Sequence, residues 1–196
     1  MDLARRGRSI AVSGFLLGGA VGIIASTQTW LTVQRADAGA DILVPGASAL
    51  PLLAPLSLAV LALGAALSLT GSVLRLIFGA LAGAVAILMG WSTLQLLLSS
   101  PVSAVASTVT DVTGIAGAAG LADVIGAIVP TAWPVIALVG WAILLIAAVV
   151  VVLTGRTWKS GGRRYRTDAG AAAVAEGPVD AVDSWDDLSR GTDPTR

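Results

Sequence analysis

WPVIALVGWAILLIAAVVVVL, residues 133–153, contains no charged side chain over its whole length. About 20 mostly apolar residues are needed for a helix to cross the ~30 Å hydrocarbon layer of a bilayer. Val135–Leu153, introduced by Trp133-Pro134, therefore reads as a membrane span, and the rest of the chain is best understood around it. Three further stretches pass the same test: Ile10–Ser26, Leu50–Thr70 and Leu76–Leu98. Pro51 and Pro55 stand near the start of the second, where proline is accepted in the first turn of a helix. Gly71-Ser72-Val73-Leu74-Arg75 reads as a tight turn joining spans two and three into an antiparallel hairpin.

Composition agrees. Hydrophobic residues make up 56% of the 196 and charged residues 12%, with a mean hydropathy of +0.87. Soluble domains carry about twice that share of charge, so the chain belongs with polytopic membrane proteins. Net charge is zero, and no basic field points to nucleic acid. Cysteine and histidine are both absent. Thiol nucleophiles, disulfides, Cys/His zinc sites and histidine proton shuttles are thereby excluded.

Orientation follows from the basic residues, because Lys and Arg near span ends favour the cytoplasm. Arg5, Arg6 and Arg8 precede span one, Arg75 lies between spans two and three, and Arg156, Lys159, Arg163, Arg164 and Arg166 follow span four. The outer loops, residues 27–49 and 99–134, contribute Arg35 alone. The expected architecture is an all-α integral membrane protein: a basic N-terminus (1–9), a four-helix transmembrane domain (10–153) and a flexible tail (154–196). Both termini are expected in the cytoplasm. The N-terminal layout also matches a secretory signal, but no clean A-x-A site follows, so the segment reads as a retained span. Residues 115–129, broken by Asp123, read as an interfacial or partly re-entrant segment of the outer face, and Thr29–Gln34 as a short outer strand paired with Asp41–Val44.

Gly14, Gly18 and Gly22 recur at every fourth position, as do Gly79 and Gly83. Small residues at that spacing let helices approach closely in lipid, so these five are expected to pack spans together within the chain, with a homo- or hetero-oligomer seam as the alternative. Polar groups inside the spans are few: Ser13, Ser57, Ser68, Ser92, Thr93 and Gln95. No carboxylate or lysine stands at mid-membrane to couple an ion, unlike the usual secondary transporter. Asp37, Asp41, Asp111 and Asp123 lie in the outer loops and read as solvated turn residues, so no catalytic, metal or cofactor site is expected. Trp30, Trp91, Trp133 and Trp158 suit interfacial anchoring, and Trp141 packing against a neighbouring helix.

After span four, five basic residues adjoin the membrane, and about 1 kcal/mol each of attraction to anionic lipid is available there. Residues 169–187 then carry too little apolar bulk for a core. Near the end, Ser184 and Asp187 have capping-box spacing, Val182, Trp185 and Leu188 share one helical face, and Gly191 stops the helix. A helix of residues 184–190 is too short to persist alone; it reads either as a docking element for a cytoplasmic partner or as a disordered tail whose Trp185 lies back on the bilayer surface. The order of four spans, Trp133-Pro134, GRTWKSGGRRY (155–165) and terminal WDDLSRGTDPT (185–195) resembles the actinobacterial tryptophan-biosynthesis-associated membrane proteins. That resemblance implies a place in the bacterial plasma membrane and a link to tryptophan supply, and carries no catalytic residues. The expected role is a non-enzymatic accessory or tethering protein; the alternative is a small transporter for indole or tryptophan.

Overall fold

The computed structural model describes residues 3–99 and 101–155. Its elements run α1 (Leu3–Thr27), β1 (Thr29–Arg35), β2 (Ile42–Pro45), α2 (Gly46–Ala49), α3 (Leu53–Leu67), α4 (Ser72–Ser99), α5 (Val102–Thr113), α6 (Ala118–Val124), β3 (Ile125–Pro130) and α7 (Trp133–Thr154). The chain is mostly helical. α1, α4 and α7 are long and apolar enough to cross a membrane. α3, at 15 residues, is a shorter apolar helix, about 22 Å long at 1.5 Å per residue.

Two boundaries differ from the sequence reading. The second span was expected over Leu50–Thr70, but Leu50 is extended (φ −134, ψ 92), as the residue before a proline tends to be. The helix starts only at Leu53, leaving Pro51 outside and Pro55 in its first turn. The turn expected over residues 71–75 is displaced toward the N-terminus: Ser72–Arg75 form the first turn of α4, and the Arg75 amide bonds the Gly71 carbonyl at 3.1 Å. Gly71 is the helix breaker, and no breaker follows it before Arg75.

α7 is the axis of the bundle. It packs on α1 and on α4, and α1 also packs on α3, all antiparallel; α3 and α4 touch each other much less. The buried positions of α4 (Arg75, Gly79, Ala82, Ala86, Met89, Thr93 and Leu96) step alternately by four and three. That narrow seam is the pattern of left-handed helix packing. Outward faces are apolar as well, with Leu58, Ile87 and Ile146 each about 60% exposed (62%, 61% and 63%). Such a surface suits lipid, since in water contiguous apolar area of this kind is rare.

At one end of the bundle the two long connections fold into a cap. Its three-stranded sheet has the order β2-β1-β3, both pairings antiparallel. β1 and β2 lie where the sequence places a strand pair. β3 was not expected: residues 115–129 read as an interfacial segment, and their last third instead pairs with β1, Val33 opposite Ile128. α5 and α6, bent 80° from each other, belong to this cap, for α5 packs on α2 and β2 and α6 runs directly into β3. Backbone bonds close the cap where it meets the bundle, Gly46 N–H to Gln28 C=O just after α1 and Thr131 N–H to Trp30 C=O just before α7, each 2.9 Å.

The opposite end holds the start of α1, the turn between α3 and α4, and the end of α7. The described chain thus begins and ends on the same side of the bundle.

Candidate functional site

Glycine sets the separation of the helices. A Cβ at Gly14 would stand 2.5 Å from the Ala147 Cβ, and one at Gly18 would stand 3.0 Å from the Leu144 Cβ and 3.2 Å from the Gly140 carbonyl oxygen. Gly22 sits where α1, α3 and α7 converge, against Ser57 and the Trp141 ring. Gly79 faces Val151, whereas Gly83 has only the Ala148 Cβ at an ordinary 3.6 Å. Gly79 and Gly83 border an apolar groove of about 380 Å³ between α4 and α7. Gly64, which backs onto Phe15, and Gly140, which backs onto Val21, make contacts of the same kind. They were missed because neither belongs to a run of glycines spaced by four.

Three hydroxyls of the bundle are satisfied within their own helices. Ser57 donates to the Leu53 carbonyl (2.6 Å), Thr93 to Met89 (2.7 Å) and Ser92 to Leu88 (2.9 Å), each within its own helix. Trp141, 2% exposed, fills space beside Gly22 and Gly90, and its indole N–H has no hydrogen-bond partner among the described residues. At the turn end an Arg8 N–H donates to the Ser68 carbonyl, closing the C-terminus of α3, where a cation also meets the negative end of the helix dipole. Arg75 is 2% exposed, where a headgroup-facing cation was expected. Arg5 and Arg6 lie in the first turns of α1. Arg156, Lys159, Arg163, Arg164, Arg166 and Trp158, and the docking face of Val182, Trp185 and Leu188, lie outside the described residues.

The tryptophans divide differently from expectation. Trp30, assigned to interfacial anchoring, is fully buried in the cap and donates its indole N–H to the Ala25 carbonyl at 2.8 Å. Its position inside a short apolar strand beside the span end hid this. Trp91 is 61% exposed on α4, and Trp133 opens α7 with its ring half-buried.

The aspartates are scattered. Asp37 caps the β1–β2 turn, accepting from Arg35 at 2.8 and 2.5 Å and from the Gly39 amide at 3.2 Å. The Arg35 hydrogen bonds, then the Gly39 amide, hold its carboxyl down at about 2. Asp41 precedes β2, Asp111 lies on α5 and Asp123 on α6, and among the described residues no three potential metal ligands gather.

One recess carries a polar lining. It lies at the cap end where α2 leads into α3, walled by the end of α4 and roofed by the start of α5; its volume is about 250 Å³. Ser92, Gln95 and Ser103 face Leu50, Leu96 and Ala104 across it.

The family model of tryptophan-associated transmembrane proteins matches residues 12–195. The chain belongs to that family. The match runs through the bundle, the cap and almost the whole tail, and agrees with the apolar outer faces of α1, α4 and α7. No curated protein and no solved structure matches the chain. This family member is thus a multi-pass membrane protein with a folded cap.

Proposed function

We propose that the chain is a non-catalytic accessory protein of the bacterial plasma membrane that serves tryptophan biosynthesis by holding a cytoplasmic partner through its tail. The observation that supports this reading is the character of the bundle interior. Glycine contacts close it, its buried hydroxyls bond carbonyls of their own helices, and its described ionisable groups, Arg8 and Arg75, sit at one end. Proton- or ion-coupled transport and acid–base chemistry both need charged or paired polar groups at depth. What remains for chemistry or recognition lies at the two ends. The basic end faces the cytoplasm by the positive-inside rule, which puts the cap outside and Trp185 and Leu188 within reach of cytoplasmic enzymes.

A pull-down from mild detergent tests the tether. Full-length protein is compared with a chain ending at Arg166 and with the double variant Trp185→Ala, Leu188→Ala. Truncating a buried aromatic anchor costs about 2 kcal/mol or more, so both variants should recover the partner at least about tenfold less well while inserting at normal abundance. Unchanged partner lists would overturn the tether. A small transporter for indole or tryptophan predicts the reverse, a flux into liposomes that ignores the tail. A damaging substitution at Gly18 does not separate the two readings, because the contact with Leu144 and Gly140 accounts for it by packing alone.

A further inference from the structure

We infer that the recess at the cap end is a binding site for an uncharged molecule of one or two rings that carries a hydrogen-bonding N–H or O–H group. This goes beyond the tethering role and does not rest on it.

Size comes first. A cavity of roughly 150 Å³ holds a single benzene ring, so about 250 Å³ is room enough for a bicyclic molecule. Charge comes second. No ionisable side chain is among the described residues lining the recess, and a charged group desolvated there would have no counter-charge. Hydrogen bonding comes third. The Gln95 carboxamide makes no hydrogen bond to a described residue and offers both a donor and an acceptor. Ser92 has committed its proton to Leu88, at 2.9 Å, and keeps its oxygen lone pairs for accepting. Ser103 adds a hydroxyl from the opposite wall.

The fold explains why the recess is here. α3 and α4 are neighbours in sequence but pack on α1 and α7 respectively more than on each other. Their cap ends therefore stand apart, and the late start of α3 after Pro51 widens the opening. Leu50, Leu96 and Ala104 make the apolar walls. Polar and apolar groups share the lining about equally, which suits a ligand with an apolar face and a hydrogen-bonding edge.

The test uses full-length protein in lipid nanodiscs, with indole and 2-naphthol as uncharged probes, zwitterionic tryptophan as the charged comparison, and empty nanodiscs to subtract partitioning. Equilibrium dialysis should show saturable uptake of the uncharged probes, about one per chain. Losing a hydrogen-bond partner weakens binding by about three- to tenfold, which is the effect expected of Gln95→Leu. Ser103→Trp, which puts bulk into the recess from an exposed position, should abolish uptake. If Ser103→Trp does not fold, Gln95→Leu carries the test, since Gln95 is exposed. Uptake no greater than empty nanodiscs, or unchanged in a folded variant, overturns the site. Tryptophan binding as tightly as indole overturns the uncharged ligand class.

Discussion

Gly14→Leu should leave the chain without a stable bundle. A Cβ at this position would fall 2.5 Å from the Ala147 Cβ, with the Ile143 carbonyl oxygen 3.7 Å away. The obstructing atom is attached directly to the α7 backbone, so no side-chain rotation relieves the clash; α1 and α7 must move apart. Separation would also loosen Gly18 from Leu144 and Gly22 from Trp141, because all three contacts belong to one antiparallel seam. Added bulk in a packed core typically costs about 1–3 kcal/mol, and this site should lie at or above the top of that range. Thermal melting in detergent, followed by gel filtration, should show the variant aggregated under conditions where the parent is monodisperse. Gly83→Leu supplies the contrast. Its only close neighbour stands 3.6 Å away and the groove beside it is open, so it should melt near the parent. Equal behaviour of the two would mean that the seam does not hold the bundle.

Trp30→Ala should unfasten the cap while the helices stay packed. The ring is fully buried and its N–H bonds the Ala25 carbonyl at 2.8 Å. Gly46 fits against the same ring: a Cβ there would come within 2.6 Å of the indole nitrogen. Trp30 thus joins the end of α1 to β1 and to the start of α2. Large-to-small changes at buried aromatic sites cost about 3–5 kcal/mol, comparable with what a small sheet-based module has to spend. Hydrogen exchange should accelerate across residues 29–45 and 125–130, with the amides of α7 still protected. Trp91→Ala, on a 61% exposed side chain, should change neither. Protection of the cap that survives loss of Trp30 would refute this role.

Legibility in the sequence followed the length of each apolar run. Val135–Leu153 was readable because nothing interrupts it, and its observed helix differs only at the ends, Trp133–Thr154. Leu50–Thr70 was read too long because apolarity continues through Pro51, while the backbone does not become helical until Leu53. The β1–β2 pair was visible in the alternation of Thr29–Gln34. β3 was not, because IGAIVP is apolar at nearly every position and follows a helix without a break. Pairing across some ninety residues decides its conformation, and periodicity does not reveal such pairing. The recess was equally hidden, as Leu50, Gln95 and Ser103 meet only through the cap. Trp30 misled because a tryptophan beside a span end satisfies the anchoring pattern whether it faces lipid or a folded cap.

With the proposed topology the cap lies outside, and the basic end and the tail lie inside. The most direct test of this arrangement exploits the absence of cysteine from the chain. Single substitutions Ala40→Cys, at the exposed tip of the cap, and Ser160→Cys, beside the basic cluster, are treated in intact cells with a membrane-impermeant maleimide. Labelling of residue 40 in intact cells, and of residue 160 only after permeabilisation, is the predicted result. Labelling of residue 160 in intact cells would place the tail outside and contradict its role in holding a cytoplasmic partner.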